Sequence, residues 1–236
     1  MILIHEKALR GQTRMGWLDS QHTFSFGAFN DPARMGFGNL RVLNEDHIAP
    51  GSGFAPHDHA SMDILTYVID GALRHEDSEG NVSEIHAGQM QLMSAGDGIR
   101  HSEWNASDSA PAHFLQIWMI PDQPGGRPAY GETDLPEEGD VVLAGGKGSA
   151  ALLPLRSNSQ LELRRFKTGD QFTLAPDTDN RRFVHLLDGL ADAEGERISA
   201  GDALQMPVGE TTTLTWHSDG AVLLFTMPTP NQRTLQ

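Results

Sequence analysis

The sequence predicts an all-β protein built from two related barrels. Short runs rich in β-branched and aromatic residues alternate with turns supplied by 25 Gly and 13 Pro, the rhythm of a sandwich or barrel. No long segment carries apolar residues at helical spacing, so helices packed on a parallel sheet are not expected. A repeated frame then divides the chain: LTYVIDG (65–71) precedes HAGQMQLM (86–93), and FVHLLDG (183–189) precedes SAGDALQM (199–206). Each copy pairs a strand ending in Asp-Gly with a later Ala-Gly turn into another strand, and the second copy has the shorter hairpin.

In chain order the expected strands lie in FGNLRVLNED (37–46), DILTYVID (63–70), MQLMSA (90–95) and AHFLQIWMI (112–120). RRFVHLLDG (181–189), TTTLTWHS (211–218) and AVLLFTMP (221–228) follow in the second half. Between residues 121 and 150, Pro, Gly and acidic residues dominate, which reads as a long connection with a short strand at VVLA. The expected division is a domain at 1–130 and a second at 131–236.

A hydrophobic fraction of 38% suffices for a buried core, and 236 residues allow one large β domain or two small ones. With 17 Lys plus Arg against 32 Asp plus Glu, the formal charge of −15 repels phosphate backbones and anionic lipid, so direct nucleic-acid or membrane binding is not expected. No apolar run reaches the roughly 18 residues that span a bilayer. The start, MILIHEKALR, does not resemble a signal peptide, and a cytoplasmic location is expected. The absence of cysteine excludes disulfides, thiol nucleophiles and thiolate metal sites. A transition metal would therefore use imidazole and carboxylate, which suit Fe, Mn, Co, Ni, Cu or Zn.

Two stretches carry such groups. In GFAPHDHASMDILTYVIDG, His57 and His59 stand at i and i+2 and so share a strand face, and Asp63 joins them if the strand continues without a bulge. In AGDGIRHSEWN the spacing returns with His101 and Glu103. If these strands are neighbours, three imidazoles and one carboxylate meet around a divalent metal, with room left for water or substrate. The other eight histidines, His5, His22, His47, His75, His86, His113, His185 and His217, are expected to be surface or hydrogen-bonded residues. Phe54, Met62 and Trp104 are expected to pack the core. In the repeat, the places of His57, His59 and His101 fall on Ala175, Asp177 and Leu214, so one metal per chain is expected.

HxH, an acid four residues on, Asp-Gly and a Gly-rich turn with another histidine resemble the two motifs of the cupin superfamily. The stretches GWLDSQHTFSFGAFNDPARMGFGNLRVLNED (16–46), HDHASMDILTYVIDG and MSAGDGIRHSEWN are similar to the pirin family, particularly its bacterial quercetinase-like members. The resemblance covers residues 10–122 most strongly. It implies a bicupin, two jelly-roll barrels with metal in the N-terminal one only, held by His57, His59, His101 and Glu103. It also implies Fe(II) first among the metals, a small aromatic substrate such as quercetin, and dioxygen. The alternative it carries is a non-catalytic, redox-sensitive regulator acting through a protein partner. A monomer is expected. Glu103 is the first candidate for a catalytic base and Asp63 the second. The family usually has glutamate at position 63; the shorter Asp63 suits orienting a ligand histidine better than binding metal.

Overall fold

The computed structural model describes residues 1–229, and among them the one helical element is a single 3-10 turn, Lys7–Leu9. No helix is long and apolar enough to cross a membrane. The strands begin with β1 (Leu3–His5), β2 (Gly11–Arg14), β3 (Leu18–His22), β4 (Leu40–Ile48), β5 (Gly53–His59) and β6 (Asp63–Asp70). Next come β7 (Ala72–Asp77), β8 (Val82–His86), β9 (Gln89–Ser94), β10 (Ile99–Asn105), β11 (Ala112–Met119) and β12 (Ala129–Asp134). The second half adds β13 (Val141–Gly145), β14 (Leu153–Pro154), β15 (Gln160–Phe166), β16 (Gln171–Leu174) and β17 (Asn180–Asp188). It ends with β18 (Leu190–Ala193), β19 (Glu196–Ser199), β20 (Ala203–Met206), β21 (Thr212–Trp216) and β22 (Gly220–Pro228).

Two compact units form, and they are not separated by a single cut at 130/131. One comprises Arg10–Glu137 with Leu152–Ser157; the other comprises Met1–Leu9, Glu138–Ala151 and, of the described residues, 158–229. The expected cut falls inside β12, which pairs with β9 from Ala129↔Ser94 to Asp134↔Gln89. Residues 1–9 group with the later strands because β1 pairs with β20 from Leu3↔Gln205 to His5↔Ala203.

The first unit has a large sheet in the order β12-β9-β6-β11-β4-β3-β2 and a small one, β5-β10-β7-β8. In the second, the large sheet runs β1-β20-β17-β22-β15-β13 and the small one β16-β21-β18-β19. The orders match from β12 to β3 in the first and from β1 to β13 in the second, and across both small sheets, so the sequence repeat is a duplication of topology. Each barrel is realised as two facing antiparallel sheets rather than one closed ladder.

The repeated Asp-Gly has a steric cause. Gly71 and Gly189 have φ of 77° and 91°, and a Cβ on either would stand 2.8 Å and 2.7 Å from the carbonyl oxygens of Pro111 and Asp219. Apolar side chains fill the space between sheets: Leu73, Ile85 and Phe114 in the first unit, Leu186, Leu214 and Trp216 in the second. Each such burial stabilises by roughly 1.5–3 kcal/mol. Where β4, β11, β6 and β9 of the first unit face β10, polar side chains take that space instead.

Candidate metal centre

β5 and β10 are antiparallel neighbours, with His101 opposite His57 and Ile99 opposite His59. A register shift between His101 and Glu103 then places Glu103 opposite Phe54. Pro56 is tolerated there because β5 is the edge of its sheet and need not donate a ladder hydrogen bond at that residue. The pairing turns three imidazoles toward one another. His57 and His101 rings are 4.5 Å apart, His57 and His59 4.8 Å, and His59 and His101 5.0 Å. His57 Nε2 and His101 Nε2 lie 3.1 Å apart. Burial, reinforced by the neighbouring histidines, pushes His59 down to about 4 and His101 down to about 3. Near neutral pH both rings are therefore uncharged, the form that binds metal.

Glu103 lies on the same face of β10 as His101 but deeper. Gln91 Nε2 and Thr66 Oγ1 donate to its Oε1 at 2.8 and 3.1 Å, and Gln116 Nε2 donates to Oε2 at 2.7 Å. These partners belong to a row that crosses the large sheet in register: His22, Asn44, Gln116, Thr66 and Gln91. Sequence reasoning missed the row, since each member is one polar residue on a different strand.

It also missed His75. This ring is fully buried, opposite Glu103 on β7, and 5.3 Å from the His101 ring. Ligand atoms of His75, His101 and Glu103 lie within 4.8 Å of one another, as do those of His57, His59 and His101. The two groups share His101. Of the four expected donors, His57, His59 and His101 form one group, and Glu103 meets His101 in the other, on the His75 side. The donor types in either group, imidazole alone or imidazole with a carboxylate, suit a divalent transition metal. His75 Nε2 is 3.1 Å from Asp77 Oδ2, a partner of the kind that fixes ring orientation beside a metal.

Asp63 is elsewhere. β5 ends at His59, Ser61 turns with φ 51°, and Asp63 opens β6 in the other sheet. Three residues before Thr66, it faces the opposite side of that strand. Ser94 Oγ and the Arg156 amide both donate to its carboxyl at 2.6 Å. The side chain therefore ties the start of β6 to β9 and to the segment at Arg156 and does not orient a ligand histidine, which corrects the role expected for it.

A cavity of about 570 Å³ opens against the histidines. Trp17, Phe26, Phe54 and Trp118 supply aromatic walls, and His57, His59 and Glu103 line its metal end. Phe54 meets Trp17 edge to face at 5.3 Å, and Trp118 meets His59 at 4.9 Å. Of the three residues expected in the core, Phe54 also lines the cavity, Met62 packs beside Ile64 and Met93, and Trp104 is part-exposed at 39%.

In the second unit β21 takes the place of β10, and its pairing with β16 and β18 puts Thr212 where His101 stands, a place expected to hold Leu214; Leu214 and Trp216 occupy the places of Glu103 and Asn105. Both are buried in an apolar cluster with Leu174 and Leu186. Among the described residues both candidate ligand groups lie in the first unit.

A family model described as Pirin matches residues 5–119, and one described as Quercetinase C-terminal cupin domain matches residues 142–227. A quercetin 2,3-dioxygenase of Escherichia coli is 37% identical over 232 residues, spanning 97% of this chain and 99% of its own. A pirin-like protein of Caulobacter vibrioides is 39% identical over 215 residues, 89% of this chain and 92% of its own. The crystal structure of the bacterial pirin YhhW from Escherichia coli in complex with nickel(II) matches with a TM-score of 0.92 at 36% identity, covering 97% of this chain and 99% of that chain.

Proposed function

The chain belongs to the pirin family, and on that footing we propose that it is a metal-dependent dioxygenase cleaving a flavonol such as quercetin with dioxygen. One observation carries the reading: an aromatic-walled cavity of about 570 Å³ reaches His57, His59 and Glu103, a volume suited to a small aromatic ligand. The full-length likeness to a protein named quercetin 2,3-dioxygenase supports the substrate class.

His57, His59, His101 and Glu103 would hold one divalent ion, Fe(II) in first place. When bound, such an ion supplies a Lewis acid for the flavonol 3-hydroxyl and an electron route to dioxygen. The chain itself contributes orientation and proton handling. Trp17, Phe26, Phe54 and Trp118 bracket the planar rings and exclude water from them. Glu103 takes the 3-hydroxyl proton at a carboxylate oxygen, while Gln91, Gln116 and Thr66 keep that carboxylate aimed. The heterocycle then opens with release of carbon monoxide.

The test is to supply the purified, metal-loaded protein with quercetin in air. Loss of the flavonol absorbance with release of carbon monoxide is expected. Absence of turnover with iron, manganese, cobalt, nickel, copper and zinc alike overturns the reading and leaves the regulator that acts through a protein partner. His57→Ala and His101→Ala should each abolish metal content and turnover together; turnover retained in either excludes this centre.

A further inference from the structure

The cavity wall on β3 and β4 is polar where a purely apolar ligand would call for none. Ser20 and Asp46 face each other across the two strands, and His22 and Asn44 form the next pair along. His22 and Asn44 have internal partners: His22 Nε2 is 2.8 Å from Thr13 Oγ1 and its Nδ1 2.9 Å from Asn44 Oδ1. Asp46 differs. It is 2% exposed, and among the described residues Ser20 is the one side chain that hydrogen-bonds its carboxyl. A carboxyl group can take several hydrogen bonds, and burying it with one costs free energy. Burial pushes the group up to about 7 despite the Ser20 hydroxyl, with Glu103 and Glu45 adding to the rise. The Ser20–Asp46 row continues into Phe114 and Val68, so the surrounding fold offers this position an apolar core that a leucine would join at no such cost. An under-bonded acid held in a cavity wall between that core and the metal end is a site awaiting a donor from a ligand.

We propose that Ser20 and Asp46 form a hydroxyl-reading subsite, so that the cavity selects aromatic ligands carrying phenolic hydroxyls on the ring that lies against β3 and β4. Asp46 accepts a hydrogen bond from such a hydroxyl, and Ser20 holds the carboxyl in the orientation that meets it. The aromatic walls supply most of the contact and little of the discrimination, since they treat substituted and unsubstituted rings alike. This rests on the reading of the cavity as the flavonol site and adds to it which flavonols are preferred.

The experiment measures equilibrium binding to the metal-loaded protein under nitrogen, by quenching of the cavity tryptophans Trp17 and Trp118. The probes are quercetin and 3-hydroxyflavone, which share the 3-hydroxyl and 4-carbonyl but differ in the ring hydroxyls. At pH 8, where the Asp46 carboxyl is mostly ionised, wild type should bind quercetin at least about tenfold more tightly, the worth of one hydrogen bond to a buried charged group. Asp46→Leu should bring the ratio to about one while leaving 3-hydroxyflavone affinity within about twofold of wild type. Asp46→Asn, nearly the same shape, should keep part of the preference, and Ser20→Ala should lower it. Equal affinities in wild type, a ratio unchanged by Asp46→Leu and Asp46→Asn, or equal losses for both probes would overturn the subsite. Because oxygen is excluded, the outcomes separate: discrimination without turnover in air removes the dioxygenase and keeps the subsite, and turnover without discrimination does the reverse.

Discussion

Glu103 is held by three donors from three strands, and Gln116 is the one among them that also lines the cavity. Replacing Gln116 with leucine keeps the volume but removes the amide that aims Oε2, leaving the buried Thr66 hydroxyl with Glu103 Oε1 as its remaining acceptor. Gln116→Leu should weaken metal binding by about 10–100-fold, read by competition against a chelator; an affinity within twofold of wild type would detach the amide from the site. The HxH and HxE spacings made the two candidate pairs legible, because a two-residue period puts both members of each pair on one face. His75 and Gln116 were not legible. Their relevance depends on which strand lies beside β10 and β6, and nothing local in LRHED or FLQIW states that pairing. Asp63 was misplaced for the converse reason, a turn at Ser61 that breaks the period between His59 and the next strand.

Among the elements, the β5–β10 pair sets the geometry of the candidate ligands His57, His59 and His101, and Gly53 is where the two strands leave no room for a side chain. A Cβ there would stand 2.3 Å from the Glu103 carbonyl oxygen and 2.5 Å from Trp104 Cα, both backbone atoms. Gly53→Ala must therefore push β5 off β10, with a destabilisation of about 2 kcal/mol in a denaturant melt and a loss of metal affinity that surface glycines such as Gly80 would not show. Unchanged affinity in a folded Gly53→Ala protein would mean that His57 and His59 do not depend on this register. In the other unit, the β16–β17 connection is tied by Asp177. The Asn180 side-chain amide, with help from the Asp179 and Asn180 backbone amides and Arg182, holds its carboxyl down to about 2. A carboxyl held below its ordinary value stabilises the fold above that value, and the contribution fades as pH falls toward 2. Asp177→Asn should lower Tm by about 2–4 °C at pH 7, with the gap closing between pH 4 and pH 2; a gap independent of pH would assign the effect to shape rather than charge. Strand positions were readable from turns and β-branched runs, and the Asp-Gly repeat from its steric need for glycine. The placement of β1 with β20 was not, because LIH carries no signal for a partner some 200 residues away.

Across the whole chain, one topology appears twice and serves two ends. The second unit fills the space between its sheets with Leu214 and Trp216, the ordinary stabilising choice. The first has Glu103 and Asn105 in those places, with the amides of Gln91 and Gln116 on Glu103, forgoing part of that burial for a polar cluster. The asymmetry was visible in the sequence, since the second copy has no histidine at these places, but spacing from Gly201 alone misses by two residues: the register sets Thr212, not Leu214, at the place of His101. The most direct test is anomalous scattering from crystals grown with iron(II) or nickel(II). The account predicts a single strong peak within bonding distance of His57, His59 and His101, with none in the second unit. A peak elsewhere, or an ion bound without those three rings, would contradict it.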